Sequence, residues 1–167
     1  MKESTLYLPV KNWINNYLKR NLKTQKVKTY IGADEFISKI LIRENLYDKI
    51  INSHYFNIKI DVFSVVIKDD KAELVLIECK STRLGLIHLS QLIGYSRIIN
   101  PLCSILLSPE EITTGLKNFL NNQGHSLLNY GNNRKIVIAK WIASRGEIDI
   151  INCLPKGYLS PSKMSIW

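Results

Sequence analysis

Cysteine is scarce in this sequence. The three present, Cys79, Cys103 and Cys153, lie far apart and form no CxxC pair. That spacing argues against a disulfide framework or a zinc site, and an iron–sulfur cluster with four thiolates is excluded by count. Cys79 falls within an apolar stretch and reads as a small buried hydrophobe. Histidine is equally thin: His54, His88 and His125 share no metal-ligand spacing, and there is neither a nucleophile elbow nor a glycine loop of the kind that cradles phosphate. No apolar run approaches the roughly 18–20 residues that a membrane span needs. The opening Met1-Lys2-Glu3-Ser4 lacks the apolar core of a signal peptide. These absences predict a soluble, intracellular (cytoplasmic) protein with no membrane partner.

Acid is in short supply relative to base. Lys and Arg number 23 against 14 Asp and Glu, a formal charge of +9. Such an excess concentrates polyanions around the chain and favours nucleic acid as a partner. No amphipathic helix has a uniformly basic polar face, which argues against a membrane surface. With 167 residues, 46% of them hydrophobic, the chain has material for one packed domain and too little for two.

Leu6, Val10, Trp13, Ile14, Tyr17, Leu18 and Leu22 recur at helical spacing, predicting a helix from about Thr5 to Leu22. Ser4 or Thr5 would be its N-cap, and Pro9 would occupy the first turn. Lys26 to Ile31 has β character, and a second helix is expected from Asp34, as N-cap, to about Ile51. Ile58 to Ile67 and Ala72 to Cys79 read as a hairpin around Lys68-Asp69-Asp70-Lys71. The second of these strands is apolar on both faces, the mark of a central strand. A third helix (Leu86 to Asn100), a short strand (Cys103 to Leu107) and a fourth helix (Glu110 to Gln123) follow. Lys135 to Ala143 and Glu147 to Leu154 suggest a hairpin added to the sheet. The predicted order is α, β, α, β, β, α, β, α, β, β: an α/β chain of α+β type, with a central mixed sheet flanked by helices and a C-terminal β-hairpin extension.

Chemistry concentrates at the end of the central strand. Glu78 and Lys80 are two apart, so their side chains leave one face. Asp61 lies on the preceding strand, which hairpin pairing brings within about 5 Å. Two carboxylates with room for water suit Mg²⁺, and an adjacent ammonium can stabilise charge developing on a phosphate. The triplet alone is weak, since Glu-x-Lys arises by chance roughly once in a chain of this size. Its context adds weight: a helix carrying Gln91 and Tyr95 on one face follows, with His88 one turn earlier.

Asp61, then Glu78-Cys79-Lys80, then Gln91-Leu92-Ile93-Gly94-Tyr95 resembles the D…(D/E)-x-K…Q-x-x-x-Y series of the PD-(D/E)XK nuclease superfamily. The last element is similar to that of RecB-like nucleases. The stretch Glu3-Ser4-Thr5-Leu6-Tyr7-Leu8-Pro9-Val10 resembles the first helix of a phosphodiesterase branch of that superfamily, whose acidic residue joins the active site. The resemblance covers about residues 3–108, with 109–167 as an extension of the same domain. It implies a restriction-endonuclease-like core in which Asp61 and Glu78 bind Mg²⁺ or Mn²⁺ and Lys80 assists hydrolysis. Gln91 would orient the site. Ile60 replaces the usual proline before the aspartate, and the segment from Lys23 to Asn57 is longer than a minimal core. That insertion leaves two candidates for the first-helix acid, Glu3 as metal ligand and Glu35 as its rival.

Arg83 and Arg97 flank the site as candidate phosphate contacts. Tyr95 reads first as packing and second as a nucleic-acid contact, and His88 as a surface residue. Glu147 and Asp149 alternate on a predicted strand, where a solvated hairpin face outweighs a carboxylate pair. Trp13, Trp141 and Trp167 read as packing residues. The function implied is a metal-dependent nuclease acting on DNA, with RNA equally compatible with the residues. Cutting two strands in concert would favour a homodimer. The alternative is a catalytically inactive nucleic-acid-binding or assembly subunit with the same fold.

Overall fold

The computed structural model describes residues 2–22, 25–51, 57–131 and 134–161, with backbone alone at 123–125. Helix α1 (Ser4–Asn21) is followed by β1 (Lys26–Gly32), α2 (Ile37–Arg43), β2 (Ile60–Lys68) and β3 (Lys71–Cys79). Then come α3 (Leu86–Ile99), β4 (Cys103–Ser108), α4 (Thr114–Gln123), β5 (Lys135–Ile142) and β6 (Glu147–Ile148). The six strands form one mixed sheet in sequence order. Strands β1, β2 and β3 are antiparallel neighbours; β3, β4 and β5 run parallel, each joined to the next through a helix; β6 turns back against β5. The element order is the predicted one, and the C-terminal hairpin adds to the sheet through β5.

The pleat of β3 divides the core. Val75, Ile77 and Cys79 face the layer made by α1, where Leu6, Val10, Ile14 and Leu18 are buried. Leu74 and Leu76 face the opposite layer, with Ile37, Ile40 and Leu41 of α2, Leu89 and Leu92 of α3, and Leu116 and Leu120 of α4. A strand covered on both sides must be apolar at every position, which is why β3 is unbroken hydrocarbon from Leu74 to Ile77, between the alternating Lys71 to Glu73 at its start and Glu78 near its end. All three cysteines are buried free thiols, Cys79 within the α1 layer. Trp141 is buried and Trp13 stacks on Tyr17, as packing residues should; Trp167 and His54 lie outside the described residues, as does the side chain of His125.

Several boundaries differ from expectation for physical reasons. Helix α1 is entered through Glu3, not capped by Ser4 or Thr5, and the Glu3 side chain makes no cap bond. Pro9 therefore stands in the second turn. It and Thr5, whose carbonyl goes without its usual donor, are exposed, so water can satisfy the group. The helix expected over Asp34 to Ile51 is split. Phe36, not Asp34, precedes α2, and Asn45 adopts a left-handed conformation (φ 56°) that breaks the run before a 3₁₀ turn at Tyr47–Lys49. Helix α4 starts late because Thr113 Oγ1 accepts the Leu116 N–H at 3.2 Å, fixing the first turn there. Strand β6 is short because Asp149 Oδ1 draws the Ile151 and Asn152 N–H groups into a turn. Among the described residues no helix is long and apolar enough to cross a membrane.

Candidate active site

Asp61 owes its position to an irregularity at the start of β2. Along β1, Ile31 pairs with Val62 and Gly32 with Ile60, so Asp61 is an extra residue with no partner on that side. A bulge of this kind bends a strand and re-aims a side chain. Gly32 makes it possible: a Cβ there would meet the Ile60 carbonyl oxygen at 2.8 Å and the Phe63 ring at 3.2 Å. On its other side β2 stays in register with β3, and one step beyond the Val62–Ile77 pair brings Asp61 alongside Glu78. The Asp61 carboxylate is anchored there, its Oδ2 accepting the Cys79 N–H at 2.8 Å.

Glu78 is 5% exposed, a carboxylate that the end of the sheet almost encloses. Lys80 follows where the chain leaves β3, held by its own N–H donating to the Leu107 carbonyl of β4 at 2.7 Å. The Lys80 Nζ lies 2.7 Å from Glu78 Oε1 and 3.2 Å from Glu3 Oε1. The first residue before α1 thus joins the end of the central strand, and the absence of a cap bond from Glu3 is explained: its carboxylate is engaged by Lys80. Glu35, the rival acid, instead pairs with Arg43 at 2.7 Å.

The electrostatics follow from crowding. Burial, and then the charge of Asp61, push the Glu78 carboxyl up to about 6. Burial also raises Asp61, against the opposing pull of the Cys79 N–H, the Tyr7 hydroxyl and Lys80. For Lys80, burial favours the neutral amine, but the hydrogen bond and charge of Glu78, with Glu3 and Asp61 behind it, outweigh this and hold it above the usual lysine range. One fixed ammonium therefore faces three carboxyl groups, a local excess of negative charge in a site of low polarity.

That donor set suits a hard divalent cation, because carboxylate oxygens are its preferred ligands and a second positive charge would relieve the repulsion that raises Glu78 and Asp61. Asp61, Glu78 and Glu3 are the residues that would hold it. Among the described residues no group of three or more His, Cys, Asp or Glu side chains is arranged as a ready ligand set. In this arrangement Lys80 occupies one oxygen of Glu78 and one of Glu3.

The other predicted residues are placed less centrally. Gln91 is exposed on α3 and its Nε2 donates to the Tyr95 hydroxyl at 3.3 Å; the contact joins the two motif residues to each other. Arg83 and Arg97 are exposed, with no ion pair among the described residues. Glu147 lies 3.5 Å from Arg145, and Asp149 bonds Asn152 at 2.9 Å, so these two do not form a carboxylate pair.

One residue of the site, Tyr7, escaped the sequence reading, and another, His88, was assigned to the surface. Tyr7, one helical turn after Glu3, directs its hydroxyl at Asp61, and burial together with that carboxylate raises its pKa. The spacing from Glu3 to Tyr7 is the signal that could have found it, since residues four apart share a helical face. His88 is half-buried, not a surface residue. Its Nδ1 accepts the Gly85 N–H at 3.2 Å, and its pKa is lowered by burial and by the charge of Lys80. The proton of the neutral ring therefore sits on Nε2. Comparison of the chain with protein-family models, with curated proteins and with solved structures finds no match.

Proposed function

We propose that this chain is a metal-dependent nuclease of the PD-(D/E)XK type, hydrolysing phosphodiester bonds of DNA on a restriction-endonuclease-like core. The observation that carries this reading is the meeting of Asp61, Glu78, Lys80 and Glu3 at one end of the sheet, from three separate elements. Asp61, Glu78 and Glu3 would hold Mg²⁺ or Mn²⁺, which when bound supplies positive charge to polarise a phosphodiester and acidify water. Lys80 carries a proton it does not readily lose, so it can stabilise negative charge gathering on the phosphate. Tyr7 steadies Asp61, and the positive net charge draws the polyanion in. The test is incubation with labelled single-stranded, duplex and branched DNA, with and without Mg²⁺. Cleavage that requires the metal and is lost in Asp61→Ala and Glu78→Ala is the expected result. Absence of any metal-dependent cutting beyond the Asp61→Ala background overturns it.

A second reading, a nucleic-acid-binding or assembly subunit without activity, draws support from the way Lys80 already occupies both Glu78 and Glu3. It predicts salt-sensitive binding, no cleavage, and indifference to Asp61→Ala.

A further inference from the structure

A groove of about 330 Å³ runs between α3 and the end of α4, lined by Leu86, Ile87, Ser90, Ile93, Phe119 and Leu127 over a floor of Leu89. Apart from the Ser90 hydroxyl, which donates to the Ile87 carbonyl at 2.9 Å, its side chains are hydrocarbon. Two of them stand in solvent: Leu86 is 45% exposed and Ile87 is 74% exposed. Burying such residues would be favourable, and none of the described residues covers them.

Two further features say what kind of molecule belongs there. The first is charge. Neither α3 (Leu86–Ile99) nor α4 (Thr114–Gln123) contains an acidic residue. Their ionisable cations, Arg97 and Lys117, are exposed, as is Arg83 just before α3, and none of the three has an ion-pair partner among the described residues. Glu110 and Glu111 lie outside the helices, with Glu111 engaged by Lys140. The two helices that form the slot thus bear positive charge and none negative, which suits a ligand with a flat apolar face and an anionic strand. The second is continuity. The groove begins at Leu86, in the first turn of α3 and six residues along the chain from Lys80.

We infer that the groove between α3 and α4 receives an unpaired nucleobase of a single-stranded nucleic acid whose backbone passes the carboxylate site. A base inside a duplex keeps its faces stacked and cannot enter a lateral slot, whereas an unpaired base can lie against Phe119 and the aliphatic side chains. The slot has one aromatic ring and no array of polar groups, so it takes bases without reading their identity. The inference rests on the proposed nuclease reading for the direction of the strand, but it concerns binding and is read without cleavage.

The test uses the full chain in EDTA and fluorescent oligonucleotides of equal length at one salt concentration: a single-stranded DNA, a strand of abasic sugar phosphates with the same charge, and the same DNA strand in a blunt duplex, whose charge is twice as great. The expected result is single-strand affinity about tenfold above both the duplex and the abasic strand, with Ile87→Asn lowering single-strand binding about fivefold and leaving duplex binding unchanged. Ile87 is exposed, so this variant should fold, and its circular dichroism checks that it does. Equal affinity for the three ligands overturns the inference, as does an Ile87→Asn effect that is the same on single strand and duplex. Sedimentation that shows a wild-type dimer dissolved by Ile87→Asn overturns it too, because the groove would then hold a second copy. Base-dependent binding in EDTA with no cleavage once Mg²⁺ is supplied would sink the nuclease reading and leave this one standing; Mg²⁺-dependent cleavage with indifference to bases would do the reverse.

Discussion

Gly32 and the carbonyl of Ile60 are so close that a single methyl group cannot be placed between them: a Cβ on Gly32 would stand 2.8 Å from that oxygen. Because Ile60 is the residue before Asp61, this approach of two strands fixes the bulge from which the Asp61 carboxylate projects. Gly32→Ala should push β1 from β2, at a cost of about 1–3 kcal/mol in stability. Displacing Asp61 by a fraction of an ångström to an ångström should lower cleavage by as much as about 10²-fold. Gly94 provides the contrast. A Cβ there meets nothing within 4 Å, and the residue lies inside α3. Gly94→Ala should therefore stabilise the protein by roughly 0.5–1 kcal/mol. Urea unfolding of both variants, beside cleavage assays of Gly32→Ala, measures the difference; equal stability for the two would remove the bulge from its assigned role.

The two members of the Glu78–Lys80 pair should respond to mutation with opposite signs. Removing the ammonium by Lys80→Met leaves Glu78, which is nearly enclosed, facing Asp61 and Glu3 without compensation. Orphaning a charge of this kind destabilises a fold by roughly 3 kcal/mol. Glu78→Gln removes the charge whose ionisation burial opposes, so at neutral pH it should leave stability unchanged or raise it. Both variants should lose cleavage, one for want of the positive charge on the phosphate and one for want of a metal ligand. Equilibrium unfolding at pH 7.5 separates them, and destabilisation by Glu78→Gln as large as that by Lys80→Met would contradict the electrostatic account.

Most of this site could be read from sequence because it is local. The Glu78–Lys80 spacing, the run of aliphatics before it and the hairpin to Asp61 are all short-range patterns, and the element order follows from periodicity in the same way. What escaped the sequence depends on contacts between distant segments. The bulge at Asp61 is set by Gly32, on a strand whose pairing register no local pattern reveals. Glu3 was separated from Glu35 only when α1 packed beside the end of β3, bringing its entrance to Lys80. Tyr7 looked like an ordinary helix residue until the same packing turned its hydroxyl toward Asp61, and His88 like a surface residue although its Nδ1 is engaged by the Gly85 N–H. Asn45 and Thr113 broke predicted helices through one backbone conformation and one side-chain cap, both too brief to leave a periodic signal.

Glu3 and Glu35 offer a matched pair of acids. Glu3 contacts Lys80 in the site, whereas Glu35 contacts Arg43 at the surface. Glu3→Gln should lower metal-dependent cleavage by about tenfold or more, partly recovered at high Mg²⁺ if its part is to hold the ion. Glu35→Gln should leave rate and metal dependence unchanged, since it breaks only a solvent-screened ion pair with Arg43. Tyr7→Phe keeps the packing of α1 and removes only the hydroxyl facing Asp61, so a several-fold loss of cleavage with a modest fall in melting temperature, from one lost hydrogen bond to a carboxylate, is expected. Initial rates over a Mg²⁺ series test all three. An effect of Glu35→Gln equal to that of Glu3→Gln would assign the first-helix acid differently.

The pH dependence of stability gives a test that needs no substrate. Glu78 titrates near 6 in the folded protein against an ordinary value of 4.5, raised by burial and by Asp61. Between those two values the folded state holds a proton that the unfolded state has released, so the fold is favoured by acid in this window. Stability contributed by protonated Glu78 is complete below pH 4.5 and is lost as pH rises through about 6. The change should be on the order of 2 kcal/mol in metal-free buffer. A divalent cation binds the ionised carboxylates, so Mg²⁺ or Mn²⁺ should stabilise the protein above pH 6 and have little effect at pH 4.5. Urea titrations at pH 4.5, 6 and 7.5, with EDTA or with millimolar Mn²⁺, measure both effects, and Glu78→Gln should flatten the decline. A Glu78→Gln variant whose pH profile over this window matches that of the unaltered protein, or a stability that Mn²⁺ leaves untouched at pH 7.5, would mean that these carboxylates do not form a cation site.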